Sequence, residues 1–60
     1  MSLVKTWYTP EEAEAKFGVR RDQILEWVEE GLVRSERDGE VMRVNIDDVQ
    51  LQSDVLIRES

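Results

Sequence analysis

The sequence predicts a mostly α-helical domain with one small β-hairpin, in the order α-α-β-β-α. Three observations carry that expectation. Apolar residues bracket Gly18 at Ala13, Phe17, Val19, Ile24 and Trp27, as two short helices joined by a turn require. Asp38-Gly39 separates two strand-like runs, a strong short-range hairpin signal. Asn45-Ile46-Asp47-Asp48 then has the pattern of a helix start.

Residues 1–6 read as an N-terminal arm, with Leu3-Val4 and Trp7-Tyr8 folding back over the core; stacking of Trp7 on a nucleic-acid base is the weaker alternative. Residues 9–30 hold the two helices. Thr9 suits an N-cap, Pro10 the first helical position, and Glu12 the acid of a capping box. The acids of this first turn also complement the helix dipole. Gly18 ends the first helix. The second runs from about Arg21 to Glu30 and stops at Gly31, with Ile24, Trp27 and Val28 on one face and Leu25 at its border. Trp27, Phe17, Ile24 and Val28 are expected in the core.

The hairpin is expected over residues 33–44. A two-residue loop at Asp38-Gly39 pairs Arg37 with Glu40, Ser35 with Met42 and Val33 with Val44. That turns Val33, Met42 and Val44 toward the helices and sets Arg34 opposite Arg43, a like-charge pair in need of an anion. The third helix is expected over residues 46–57. Its apolar residues Val49, Leu51, Val55, Leu56 and Ile57 make no clean stripe, because Gln52 and Ser53 interrupt them.

Sixty residues allow one domain, and a chain this short buries only about 60% of the surface its unfolded form exposes. With no cysteine and no histidine, disulfides, thiolate metal sites and histidine acid–base chemistry are excluded, and zinc would need a set of carboxylates alone. No cofactor is implied. No apolar run reaches the length of a membrane span or a signal-peptide core, so a soluble, cytoplasmic protein is expected. The carboxylates lack a base or a metal partner, so an enzyme is not expected. The formal net charge of −6 opposes nonspecific nucleic-acid binding, which draws on Lys and Arg. Arg20, Arg21, Arg34, Arg37 and Arg43 nevertheless cluster between two acidic ends, interleaved with seven acids from Asp22 to Glu40. A basic surface would require three-dimensional sorting of those charges.

The order helix, glycine turn, helix, Gly-Leu, hairpin, helix resembles the MerR-like and excisionase-like winged helix-turn-helix domains over roughly Trp7 to Val49. The matching residues are Tyr8-Thr9 followed by Glu11-Glu12-Ala13, then Phe17-Gly18-Val19, Ile24 and Gly31-Leu32-Val33. Arg37-Asp38-Gly39 and Arg43-Val44 leading to Asp47-Asp48-Val49 complete the set. The resemblance implies double-stranded DNA as partner, with the second helix in the major groove and the hairpin, as a wing, on the adjacent backbone. Arg20, Arg21 and Gln23 would read base edges, because Arg suits guanine and Gln adenine. Arg37, Arg43 and Arg34 would hold phosphates, Gly39 would let the wing tip approach closely, and the helix start near Thr9 would offer backbone N–H groups to a phosphate.

The chain departs from the family in places. Glu14 stands where such motifs place a small residue, which implies a looser helix crossing or a Glu14 turned outward. Leu25, Glu26 and Trp27 replace the Arg-Tyr-Tyr-like run of MerR regulators, which draws the chain toward excisionase-like domains. Asp22, Glu26 and Glu29 occupy commonly basic positions. The expected function is that of a sequence-specific DNA-binding protein, a small transcription regulator or an excisionase-like architectural factor. The alternative is a protein-interaction module that keeps the fold and offers its acidic face to a partner protein. Leu51, Val55 and Ile57, if exposed, would add an apolar patch for homo-oligomer formation.

Overall fold

The computed structural model describes residues 6–59. Its elements are β1 (Trp7–Tyr8), α1 (Pro10–Phe17), α2 (Arg21–Glu29), β2 (Ser35–Asp38), β3 (Val41–Asn45) and α3 (Ile46–Glu59). Three helices therefore pack with a small antiparallel sheet of order β1-β3-β2. The expected order lacked β1. Trp7 and Tyr8 do fold back, but as a strand that pairs with Asn45 and Val44 of β3. Two residues are too few for an alternating pattern to announce a strand. Leu3 and Val4 lie outside the described residues.

Helix α1 begins as its sequence dictates. The Glu12 N–H donates to Thr9 Oγ1 at 3.2 Å, and the Thr9 N–H donates to Glu12 Oε1 at 3.0 Å. Both orphan amides of a capping box are thereby satisfied. Gly18, at φ 69°, caps the other end by donating its N–H to the Glu14 carbonyl. Helix α2 closes with a Schellman motif at the expected glycine. Gly31 sits at φ 80°, its N–H donates to the Val28 carbonyl at 3.1 Å, and the Leu32 N–H reaches back to the Trp27 carbonyl at 2.9 Å. Asn45 caps α3 through its side-chain oxygen, which accepts from the Asp48 N–H at 3.1 Å. The helix extends to Glu59, beyond the expected end at Ile57.

The hairpin forms in a different register from the expected one. Ser35 pairs with Val44, Glu36 with Arg43, Arg37 with Met42 and Asp38 with Val41, so the loop is Gly39-Glu40 rather than Asp38-Gly39. The reason lies in the backbone. A loop at Asp38-Gly39 in the favoured I′ form would need positive φ at both residues, whereas Gly39 at φ 66° has positive φ and no non-glycine residue does. Glycine at the first loop position is the pattern of a II′ turn. The slip moves each partner by two residues, an even step, so the faces are preserved. Val44 is buried and Met42 half-buried, as expected. Val33 is buried too, but it precedes β2 instead of pairing with Val44. The expected clash of Arg34 with Arg43 disappears, since Arg43 faces Glu36 and Arg34 lies beside Asn45, whose N–H it accepts at 2.9 Å.

The core consists of Ala13, Val19, Ile24, Trp27, Val33, Val44 and Val49, with Tyr8, Phe17, Val28 and Met42 packed half-buried against it. Ile24 and Trp27 are buried as anticipated, whereas Phe17 and Val28 cover the core from its margin. Each element supplies at least one member or margin residue except the edge strand β2, which is exposed throughout.

Candidate nucleic-acid interface

An open groove of about 540 Å³ lies where three elements meet. The start of α1 supplies Thr9, Pro10 and Glu11, the first turns of α2 supply Arg21, Asp22 and Leu25, and the hairpin tip supplies Glu40, Val41 and Met42. A second hollow lies beside it, between the two helices, lined by Glu14, Arg20, Arg21 and Asp22. The amino end of α2 therefore stands between α1 and the hairpin tip, as the element order leads one to expect.

The arginines differ in what they hold. Arg21 Nη1 lies 3.2 Å from Glu11 Oε2 with both side chains more than half exposed, a pair that contributes little stability. Its backbone N–H donates to Glu14 Oε2 at 2.9 Å. Glu14 is thus turned outward, as one of the two expectations had it, and caps α2 from the neighbouring helix. Arg20, the N-cap residue, makes no side-chain cap of its own. The exposed Glu14 was legible as an anomaly; that its carboxylate would meet the α2 amide depends on the helix crossing and had no local signal.

Arg34 is committed elsewhere. Its Nε and Nη2 donate to Asp48 Oδ2 and Oδ1 at 2.8 and 3.3 Å, and its backbone N–H donates to the same Oδ2 at 3.0 Å. The side-chain hydrogen bond to Asp48 holds the Arg34 guanidinium above its ordinary value. The same bond, and then the Arg34 N–H, hold the Asp48 carboxyl below the usual carboxylate range. This bidentate pair ties the base of the hairpin to the first turn of α3, away from the groove. Arg43 Nη1 approaches Asp38 Oδ2 at 3.5 Å on the sheet face that also carries Glu36 and Val41. Arg37 shares the other face with Met42, which lines the groove. Arg20 and Arg37 are exposed and have no side-chain partner among the described residues.

Of the remaining expected contacts, Gln23 is half-buried on α2. Gly39 stands at the hairpin tip with nothing within 4 Å of an added Cβ. Thr9 lines the groove, but its N–H and hydroxyl are both engaged by Glu12, and Pro10 has no N–H to offer. The structure thus brings Thr9, Arg21 and the hairpin tip to one groove, lines the adjoining hollow with Arg20, sets Arg37 across the hairpin from the groove residue Met42, and leaves Arg34 outside. Carboxylates intervene, since Glu11, Asp22 and Glu40 outnumber Arg21 along the groove itself. Asp22, Glu26 and Glu29 further line the exposed side of α2, at helical spacing.

Among the described residues, no helix is long and apolar enough to cross a membrane, and no cluster of His, Cys, Asp or Glu is placed to hold a metal ion. No protein-family model, curated protein or solved structure matches this chain.

Proposed function

We propose that this chain is a winged helix-turn-helix DNA-binding module, with α1 and α2 as the helix pair and the β2–β3 hairpin as the wing. The observation that carries the reading is the placement of the α2 amino end and the hairpin tip across one open groove, with Arg20 in the adjoining hollow and Arg37 beside the groove residue Met42, neither paired among the described residues. Both arginines reach for phosphates. Arg21 joins them when an anionic ligand displaces Glu11, an exchange that costs little because the pair is exposed. Gln23 is the base reader, Arg43 supports the wing, and the chain serves as a cytoplasmic transcription regulator or excisionase-like architectural factor. The acidic surround makes a single copy a weak binder.

Fluorescence anisotropy on a labelled duplex, in a salt series, tests the reading. Binding is expected at low salt and weakens as salt rises. Arg20→Ala and Arg37→Ala each lower the slope of log affinity against log salt by about 1, one phosphate contact apiece. Glu11→Gln, which frees Arg21, tightens binding. Absence of binding at low salt, or an affinity that ignores both arginine substitutions, overturns the proposal.

A second reading rests on a separate observation. Asp22, Glu26 and Glu29 on α2, and Glu30 at its C-cap, are exposed without basic partners among the described residues. A basic partner protein fits that surface, and failure on DNA together with salt-sensitive binding to such a protein would select it.

A further inference from the structure

We infer that the groove between α1, α2 and the hairpin tip receives an extended peptide of a partner protein, which pairs with the open edge of β3 and carries basic residues on either side of an apolar one. Backbone groups along β3 alternate in direction. The Asn45 N–H donates on the β2 side, to the Arg34 carbonyl at 2.9 Å, whereas the Ile46 N–H donates on the β1 side, to the Thr6 carbonyl at 2.8 Å. By that alternation the backbone of Val44 points to β1, where Tyr8 pairs with it, and so does that of Met42. Continuing the register sets Pro10 opposite Met42, but Pro10 has no N–H and already belongs to α1. The Met42 N–H and carbonyl therefore have no backbone partner on that edge among the described residues. An unpaired strand edge is the template that extended peptides use.

The walls of the groove decide what the peptide carries. Met42 shares the helix-facing side of the sheet with the buried Val44, and Pro10, Leu25 and Val41 line the groove with it. A peptide residue paired with Met42 turns its side chain to that same side, so an apolar one suits it. Apolar side chains are exposed on α3 too, at Leu51, Val55 and Ile57, without an adjoining sheet edge. Of the groove's charges, Glu11 is spent on Arg21 at 3.2 Å. Asp22 on the α2 wall and Glu40 on the hairpin wall are exposed, and neither has a side-chain partner among the described residues. Two uncompensated carboxylates select a basic segment over an acidic one. The chain's own exposed strand β2 has no apolar residue and carries two acids against one arginine, so a second copy offers no match through it. One paired residue and one apolar anchor make the contact weak.

Amide NMR of the full chain, titrated with the blocked peptide acetyl-Lys-Thr-Val-Thr-Lys-amide, is the test. In the free chain the Met42 N–H exchanges with solvent faster than that of Arg43, which pairs with β2. Adding the peptide shifts the resonances of Met42, Val41 and Leu25 to saturation and slows Met42 exchange several-fold. Methylating the nitrogen of the central valine removes the donor to the Met42 carbonyl and weakens binding about tenfold. Glu40→Lys, at an exposed loop position, weakens it several-fold. A Met42 N–H already protected in the free chain overturns the inference, as does equal binding of the methylated peptide or of one with glutamate in place of lysine. Met42 shifts that follow chain concentration without peptide would give the groove to a second copy and overturn it too. No nucleic acid enters the experiment, so its outcome is independent of whether duplex DNA binds.

Discussion

Arg34 shows how position decides what a charged side chain does. Three hydrogen bonds from one residue converge on Asp48, which is itself the third residue of the α3 first turn and donates its own N–H to Asn45. The consequence for pH has a definite sign. A carboxyl whose folded value is depressed contributes stability that is present above its ordinary, unfolded value and is lost as pH falls through the lower folded value. Urea denaturation across that acid window is therefore expected to show a steeper loss of stability for the native chain than for Asp48→Asn. Equal slopes would mean that the pair does not couple to folding. Residue type alone assigns Arg34 to a phosphate; its partner Asp48 lies fourteen residues away and meets it only in the folded chain. The same holds for Arg21 with Glu11 and Glu14: residue types were legible, partners across elements were not.

At the scale of elements, boundaries set by local chemistry were readable and boundaries set by pairing were less so. Thr9, Gly18, Gly31 and Asn45 all cap as their side chains and backbones demand, because each cap is settled within about one helical turn. The hairpin was placed correctly, yet its loop was misplaced by one residue, since Asp-Gly and Gly-Glu both offer a glycine and only the backbone angles separate them. The two-residue strand β1 left no periodic trace at all. The Gly31 cap gives an energetic test. Gly31→Ala is expected to lower stability by about 1 kcal/mol, read as a shift of the urea midpoint, because an added methyl has free space but the left-handed backbone does not suit it. Gly31→Asn, better tolerated at such φ, should cost less.

For the whole molecule, charge is the dominant quantity. Among the described residues, three ion pairs at 2.8 to 3.5 Å engage Arg21, Arg34 and Arg43, all substantially exposed on at least one side. They offset little of a formal charge of −6, so self-repulsion across the small globule opposes folding. Raising the salt concentration from low to near-physiological is expected to raise Tm by a few degrees as that repulsion is screened. The same change weakens the proposed contact with DNA, so one titration, followed by thermal melting and by anisotropy, moves the two properties in opposite directions. A Tm that falls with salt would show that the ion pairs outweigh the net charge.

The order β1-β3-β2 has a consequence for how this chain behaves in a crowded solution. The strand with the buried residues, β3, is flanked by β2 along Val41–Val44 and by β1 at its buried end, Val44 and Asn45. On one side the sheet ends at β2, whose Ser35, Glu36, Arg37 and Asp38 are all exposed and three of them charged. A foreign strand docking there would have to accommodate charges of both signs along its whole length, which is how short edge strands resist edge-to-edge aggregation. The charged residues that leave β2 without a share in the core are the ones that keep the sheet from growing.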